Sequence, residues 1–147
     1  MEMLFGEYNN TLDDKGSIQF PAQLRSVLQQ ESLVVTQGLD RCLMIFSIDE
    51  WTSLNKKIVD SASLFNDQKR LVMRRFIAPA QKLDFDKSGR LSIPQTLRDY
   101  AGLNGECTIL GINKYMELWD SEKYRAYLEK TEDSFLKAAE TMGDILM

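Results

Sequence analysis

The residues best placed for chemistry are three cations associated with two short polar turns, at positions 13–16 and 86–89. Lys15 and Lys87 lie within these turns, and Arg90 directly follows the second one. Lysine binds phosphate as a point charge, whereas arginine can bond the O6 and N7 atoms of guanine with two parallel N–H groups. These side chains therefore have the chemistry of a nucleic-acid contact, and a two-stranded ribbon carrying them would fit the major groove.

Both turns have the composition of rigid hairpin tips. Each begins with an aspartate, whose carboxylate can accept backbone N–H bonds, and ends with a glycine, which adopts left-handed conformations at little cost. Alternating apolar residues flank the turns, so each turn is predicted to close a β-hairpin with a bulge. Arg90 is then expected to leave its turn on a stiff stalk, with its guanidinium free to reach outward. Pro21 and Pro94 follow the second strands and can open helices, because the first helical residue needs no N–H partner.

This unit occurs twice in the chain. Gly16 matches Gly89 seventy-three positions later, and the same offset without gaps pairs Asp13 with Asp86, Pro21 with Pro94, Leu24 with Leu97, Arg25 with Arg98, Gly38 with Gly111, Phe46 with Trp119 and Trp51 with Tyr124. A fixed offset over roughly forty residues indicates a tandem duplication. Two copies of a module this long predict two half-barrels packed on each other rather than a solenoid.

The pattern divides the chain into a first repeat (1–60), a connector and helix (61–78), a second repeat (79–125) and a C-terminal helical tail (126–147), and the Ser- and Asn-rich stretch 60–66 is the expected connector between the repeats. Each repeat is predicted to contain an edge strand, the hairpin, a short helix, two further strands and a closing helix. Ser47 and Glu50 have the spacing of a capping box, Asp120 is the expected N-cap of the last helix, and a turn is expected at 111–114. The tail is amphipathic, so it either docks on the domain or protrudes toward another subunit.

Arginines on the predicted helices form a second set of candidate contacts. Arg25 and Arg98 lie at matched positions on the short helices and are available to phosphate, although pairing with a nearby carboxylate explains them equally well. Arg74 and Arg75, with Arg70 one turn earlier, are more simply explained as an exposed helix face or a subunit contact. The candidate DNA-binding set is therefore Lys15, Lys87, Arg90, Arg25 and Arg98.

The sequence argues against an enzyme, a metal site and a cofactor. It has no histidine, which is the commonest general base, and it lacks a phosphate-binding glycine-rich loop, a nucleophile elbow and a zinc-protease motif. Cys42 and Cys107 do not occupy equivalent repeat positions and form no CxxC pair, so both are predicted to be reduced core residues. Binding is the expected activity.

Charge and hydropathy limit the location and the partners. The formal net charge of −4 is unusual for a generic nucleic-acid binder, so the cations must collect on one face if they bind DNA. The longest apolar run, 42–46, has the length of a strand and is too short to cross a bilayer. The N-terminal residues lack the basic and long apolar regions of a signal peptide, which predicts a cytoplasmic protein without a membrane partner.

Taken together, these motifs resemble the AbrB-like swapped-hairpin DNA-binding fold, and their combination is similar to the MraZ family. The similarity extends from residue 5 to about residue 125. It rests on the segments 5–8, 12–16, 38–43, 86–94, 97–103 and 117–120 and on Trp51. The resemblance implies an α+β fold in which two tandem AbrB-like repeats form an intrachain double-psi or swapped-hairpin β-barrel with flanking helices.

The resemblance also implies a function. Members of the family are bacterial transcriptional regulators of the division and cell-wall gene cluster, which bind short repeated boxes upstream of their own operon, often as repressors. The implied partners are double-stranded DNA, in the nucleoid, and further copies of the chain in a ring-shaped homo-oligomer. A ring would present many tips on one face, so that weak contacts add through multivalency. An alternative is a protein-interaction module, antitoxin-like or scaffolding, that uses the helical tail.

One position departs from the family pattern. The first motif of the family ends in arginine, and this chain has Ser17 there. Lysine does not replace the planar arginine fork in bidentate base reading. We therefore expect the first hairpin, with Lys15, to contact mainly phosphate, while Arg90 reads bases or anchors the second hairpin. On this hypothesis Arg90→Ala costs more affinity, and more sequence selectivity, than Lys15→Ala.

Overall fold

The residues that the computed structural model describes, 3–61 and 66–146, form two antiparallel sheets. The strands are β1 (Leu4–Thr11), β2 (Ser17–Gln19), β3 (Ser32–Gln37), β4 (Leu43–Ser47), β5 (Gln81–Asp84), β6 (Arg90–Ser92), β7 (Glu106–Asn113) and β8 (Tyr115–Asp120). Six of them pair in the order β1-β7-β8-β4-β3-β5, and β2 pairs with β6 as a separate ribbon. The mixture of antiparallel strands and helices confirms the predicted α+β class, whereas closure into a barrel stays a prediction.

Seven α-helices lie in the described part of the chain. They are α1 (Ala22–Leu28), α2 (Ile48–Ser61), α3 (Asp67–Val72), α4 (Gln95–Ala101), α5 (Ser121–Lys130), α6 (Glu132–Thr141) and α7 (Gly143–Leu146), and a π-helical turn, Met73–Ile77, continues α3. None of them is long and apolar enough to cross a membrane. Two predicted caps are confirmed: the Glu50 backbone N–H donates to the Ser47 hydroxyl at 3.1 Å, and the Lys123 N–H donates to the Asp120 carboxylate at 3.3 Å.

The connector predicted at 60–66 differs from the structure at both ends. Asp60 still belongs to α2, which runs to Ser61, and positions 62–65 lie outside the described residues. Asn66 is the N-cap of α3, because its side-chain oxygen accepts the backbone N–H groups of the residues two and three positions later. The first N–H groups of a helix have no partner within the helix, and the Asn66 side chain supplies that partner here, which stabilises the start of α3.

The two repeats exchange strand partners. The first strand of each repeat pairs with the third strand of the other, as β1 with β7 and β5 with β3, while β2 pairs with β6 and β4 with β8. The predicted hairpins are therefore wrong beyond their turns, because each strand leaves its own turn to join the other repeat. The exchange buries apolar side chains of both repeats together: Ile18 and Leu91 face each other in the ribbon, and both are inaccessible to solvent.

One core spans the space between the ribbon and the six-stranded sheet. Both repeats supply it, chiefly with Leu4, Ile18, Phe20, Leu24, Leu33, Leu43, Ile45, Leu91, Ile93, Leu97, Ile109, Met116 and Leu118. Full burial of a leucine or isoleucine side chain contributes about 1.5–3 kcal/mol. The strand that follows each turn contributes a side chain to this core, Ile18 after the first turn and Leu91 after the second, so both turns are anchored to buried residues.

The turn predicted at 111–114 is wrong, because β7 continues to Asn113 before the chain reverses. Pairing with β1 extends along all of β7, from the Leu4–Asn113 pair onward, and keeps Gly111 in an extended strand. Glycine is needed at 111 for close approach rather than for turning, since a Cβ there would lie 2.6 Å from the Phe5 backbone nitrogen. The reversal instead uses Asn113 in the left-handed region, at φ 64°.

Candidate nucleic-acid interface

The first turn is fixed by its own aspartate. The Gly16 N–H donates to the Asp13 carbonyl at 3.0 Å, and the Asp13 N–H donates to the Ser17 carbonyl at 2.9 Å. One carboxylate oxygen of Asp13 accepts the backbone N–H groups of both Lys15 and Ser17 at 2.9 Å. Gly16 has a φ of 84°, which favours glycine. The predicted aspartate cap and left-handed glycine are confirmed.

The second turn repeats this arrangement. The Gly89 N–H donates to the Asp86 carbonyl at 3.0 Å, and Asp86 Oδ1 accepts the N–H groups of Ser88 at 2.8 Å and Arg90 at 2.9 Å. Gly89 has a φ of 79°. The two turns are therefore equivalent backbone frames, and the difference between them is in the side chains that they carry.

The two lysines lie exposed on these frames. Lys15 and Lys87 are both solvent-accessible, and each sits in a turn whose backbone is fixed by an aspartate carboxylate. The turns precede the antiparallel strands β2 and β6, so they lie at opposite ends of one ribbon. That ribbon has three residue pairs and spans only about 7 Å between its end pairs. One compact surface element thus presents two ammonium groups.

Arg90 does not project outward, and the prediction that its guanidinium is free is wrong. Its Nη2 atom bonds the second carboxylate oxygen of Asp13 at 3.0 Å and the Ser17 carbonyl at 3.1 Å, while its Nε atom donates to the Ser17 hydroxyl at 3.1 Å. The side chain is 30% exposed. Since β6 lies beside β2, the arginine of the second repeat reaches the turn of the first and ties the two repeats together. Ser17 therefore supplies two acceptors, its hydroxyl and its carbonyl, to this arginine.

These contacts change the acidity of Asp13. The Ser17 backbone N–H has the largest effect and, together with the Lys15 N–H and the charge of Arg90, holds the pKa of Asp13 below its ordinary value of 3.8, against a partial opposing effect of desolvation. The ionised form is thus the one that the folded turn binds. A group with a lowered pKa in the folded state stabilises the fold above its unfolded pKa, and this contribution disappears as the pH falls through the folded value.

Asp13→Asn should therefore flatten the acid limb of the stability profile. We expect the free energy of unfolding of the wild type to fall between pH 5 and pH 2.5, and that of Asp13→Asn to start lower and to fall less. Urea denaturation at several pH values measures this difference. Asp14→Asn, which changes an exposed neighbour in the same turn, is the control and should follow the wild type. Equal acid slopes for wild type and Asp13→Asn would refute the assignment.

The helix arginines hold the turns of the opposite repeat. The Arg98 guanidinium lies against Gly16, and its Nε atom donates to the Ile93 carbonyl at 2.8 Å. The Arg25 guanidinium lies against Gly89 in the same way. Its carbon Cζ is 5.9 Å from the centroid of the Phe85 ring, and its Nε atom is buried with no hydrogen-bond partner among the described residues. Within the described ranges neither arginine forms an ion pair, so the suggested carboxylate pairing is wrong.

Sequence reasoning did not identify Lys82, which lies beside the second turn. This exposed residue lines a groove of about 800 Å³ together with Arg25 and Lys87. Asp84 and Asp86 line the same groove, so its charge is mixed. The position of Lys82 at the start of β5, four residues before the turn, was the available signal in the sequence.

The cysteines are as predicted, buried and free of a disulfide. Burial is the main effect that raises the pKa of Cys42 and of Cys107, each to about 12, so neither is a reactive thiolate at neutral pH. Among the described residues, no three cysteine, aspartate or glutamate side chains are grouped so as to hold a metal ion.

Comparison with known proteins identifies similar chains. A family model described as "MraZ protein, putative antitoxin-like" matches twice, at residues 3–75 and 76–145, in agreement with the tandem repeat. The protein named transcriptional regulator MraZ of Treponema denticola is 51% identical over 140 residues, which are 95% of this chain and 97% of that protein. Its namesake in Treponema pallidum (strain Nichols) is 42% identical over 97% of this chain and 95% of its own length. That of Halothermothrix orenii is 40% identical over 97% and 99%.

Proposed function

The chain belongs to the MraZ family, and we propose that it is a sequence-specific DNA-binding regulator of transcription. Relatives in this family are named as transcriptional regulators and not as enzymes, which agrees with the prediction from the sequence. The observation that carries the DNA-binding proposal is the pair of exposed lysines, Lys15 and Lys87, on two aspartate-fixed turns at the ends of one short ribbon.

In this proposal the turns contact the phosphate backbone. Lys15 and Lys87 neutralise phosphates, and because the turn backbones are already fixed, little conformational entropy is lost on binding. Arg25 and Arg98 pack against the turn glycines, and as partly exposed residues they add positive charge beside both turns. Arg90 is assigned a positioning role, because reading a base would require it to abandon its bonds to Asp13 and Ser17.

Assembly compensates for the weak affinity of a single chain. A net charge of −4 disfavours DNA binding by one chain, and two lysines make few phosphate contacts. A ring-shaped homo-oligomer would place many ribbons against tandem boxes, and their contacts would add through effective concentration. We propose that the boxes lie upstream of the chain's own operon, in the division and cell-wall gene cluster, and that the protein acts in the cytoplasm at the nucleoid.

A second candidate function is a protein-interaction module. Two observations favour it: the family description includes the word antitoxin-like, and the last three helices expose large apolar side chains. An interaction module would bind its protein partner through the tail and would leave the turns without a ligand.

Binding to the upstream DNA of the gene separates these functions. We expect fluorescence anisotropy to show preferential binding of this DNA over a shuffled sequence of the same length and composition. The logarithm of the binding constant should fall linearly with the logarithm of salt concentration, because phosphate contacts release counterions. Absence of binding at 50 mM salt would contradict the DNA-binding proposal and favour the interaction module.

A further inference from the structure

Exposed large apolar side chains of the described chain concentrate at two places far apart in sequence. One group, Leu39, Leu71 and Val72, lines a groove, and Leu39 is 87% exposed. The other belongs to α6 and α7 and the residue between them, and comprises Phe135, Leu136, Met142, Ile145 and Leu146. Contiguous exposed apolar surface on a soluble protein is typical of an interaction site.

The groove has a volume of about 610 Å³ and a preformed wall. Met44, Ile58 and Phe76 contribute apolar surface to its lining, and Arg41 and Arg75 contribute positive charge. The Arg41 guanidinium lies 4.7 Å from the centroid of the Tyr100 ring, whose hydroxyl donates to the Gly38 carbonyl at 2.6 Å. Because these contacts fix the 38–41 turn and the α4 side of the groove together, the site needs little rearrangement to bind a ligand.

The C-terminal helices have the complementary character. Ala139 and Met142 follow Phe135 at the four- and seven-residue spacing that places side chains on one helical face, and Leu136 lies next to Phe135. No residue of α6 or α7 is buried, and α6 packs mainly on its sequence neighbours α5 and α7. Acidic residues outnumber basic ones in this segment, with Glu132, Asp133, Glu140 and Asp144 against Lys137. A helical segment with apolar and acidic side chains thus complements a groove lined by apolar residues and two arginines.

We propose that the groove binds α6–α7 of a neighbouring copy of this chain. None of residues 131–146 lines the groove of its own chain, so the contact joins two different surfaces on successive copies. Such a head-to-tail contact leaves one groove and one tail unused at every step, and it closes a ring when the rotation between copies permits. The inference deepens the proposed ring by assigning the surfaces that build it.

Complementation between two variants tests this contact. Leu39→Asp with Arg75→Glu inactivates the groove, and Phe135→Ser with Ile145→Asp inactivates the tail; all four positions are exposed, so the fold is retained. Light scattering coupled to size exclusion should show a multimeric wild type and single chains for each variant. A 1:1 mixture should form dimers and nothing larger, because only one intact groove meets one intact tail. Val59→Asp changes an exposed apolar residue of α2 that does not line the groove, and it should leave the mass unchanged.

The outcomes distinguish the contact from the ring. A multimer that survives both variants would overturn the groove–tail contact and leave the proposed ring standing on other surfaces. Single chains in the wild type at all concentrations would overturn the ring and the contact together. Variants that become single chains but fail to pair in the mixture would also overturn the contact, and circular dichroism of each variant verifies folding. Anisotropy with upstream DNA then reports separately whether DNA binding depends on assembly.

Discussion

Replacing Lys15 and Lys87 together with alanine is expected to abolish most of the affinity for upstream DNA and to leave the fold intact. Each lysine neutralises one phosphate in the proposed complex, and counterion release contributes a slope of about 0.9 per phosphate to the salt dependence. For one bound chain, the loss of two contacts lowers the slope by about 1.8 and the affinity in 0.15 M salt by about 30-fold. Several chains on one DNA multiply this factor.

A matched double variant controls for charge. Lys114→Ala with Lys130→Ala removes the same two charges from exposed positions in the β7–β8 turn and at the end of α5. The free energy of unfolding of both double variants should lie within about 0.5 kcal/mol of the wild-type value, because all four side chains lie on the surface. Equal losses of affinity would mean that only net charge matters, and the turns would lose their assigned role.

Arg90→Ala tests whether Arg90 contacts DNA itself or positions the first turn, which carries Lys15. Its removal leaves one oxygen of Asp13 and the Ser17 hydroxyl without their partner and disconnects the first turn from the second repeat. The variant should therefore lose stability as well as affinity, whereas the lysine variant should lose affinity alone. If Arg90 only positions the first turn, its removal should lower the affinity for DNA without changing the slope of the salt dependence, because no phosphate contact is lost. The same salt titration measures this slope.

The local features of the site were predictable from sequence. An aspartate that caps its own turn and a glycine at a positive φ are set by atoms within four residues, and the 73-residue offset between Gly16 and Gly89 identified both copies. The helix caps at Ser47 and Asp120 were predictable for the same reason.

The partners of these features depend on strand exchange, which leaves no local signature. Arg90 bonds a residue 77 positions away, and Arg25 lies against the turn glycine of the other repeat. A hairpin and an exchanged pair of strands have the same alternation of apolar residues, because both bury one face. The choice between them is made by packing in the shared core.

Gly89→Ala is expected to be the most destabilising of three matched glycine substitutions. At φ 79° an alanine pays the left-handed penalty of about 1–2 kcal/mol, and its Cβ would overlap the Arg25 guanidinium. Arg25 must then move out of its position against the turn and give up its contact with the Phe85 ring. We expect a total loss of about 3 kcal/mol in the free energy of unfolding, measured by urea denaturation, which is within the usual range for a strained, overpacked site.

Two other glycines separate strain from contact. Gly105 has a φ of 90° with open space where a Cβ would lie, so Gly105→Ala should cost only the strain of about 1–2 kcal/mol. Gly143, at the start of α7, has neither feature, and Gly143→Ala should leave stability unchanged or raise it by up to about 1 kcal/mol. All three variants restrict the unfolded chain equally, so the excess cost at Gly89 reports the arginine contact. If Gly89→Ala matched Gly105→Ala, Arg25 would yield freely, and the helix arginines would not be the supports that hold the lysine-bearing turns in position.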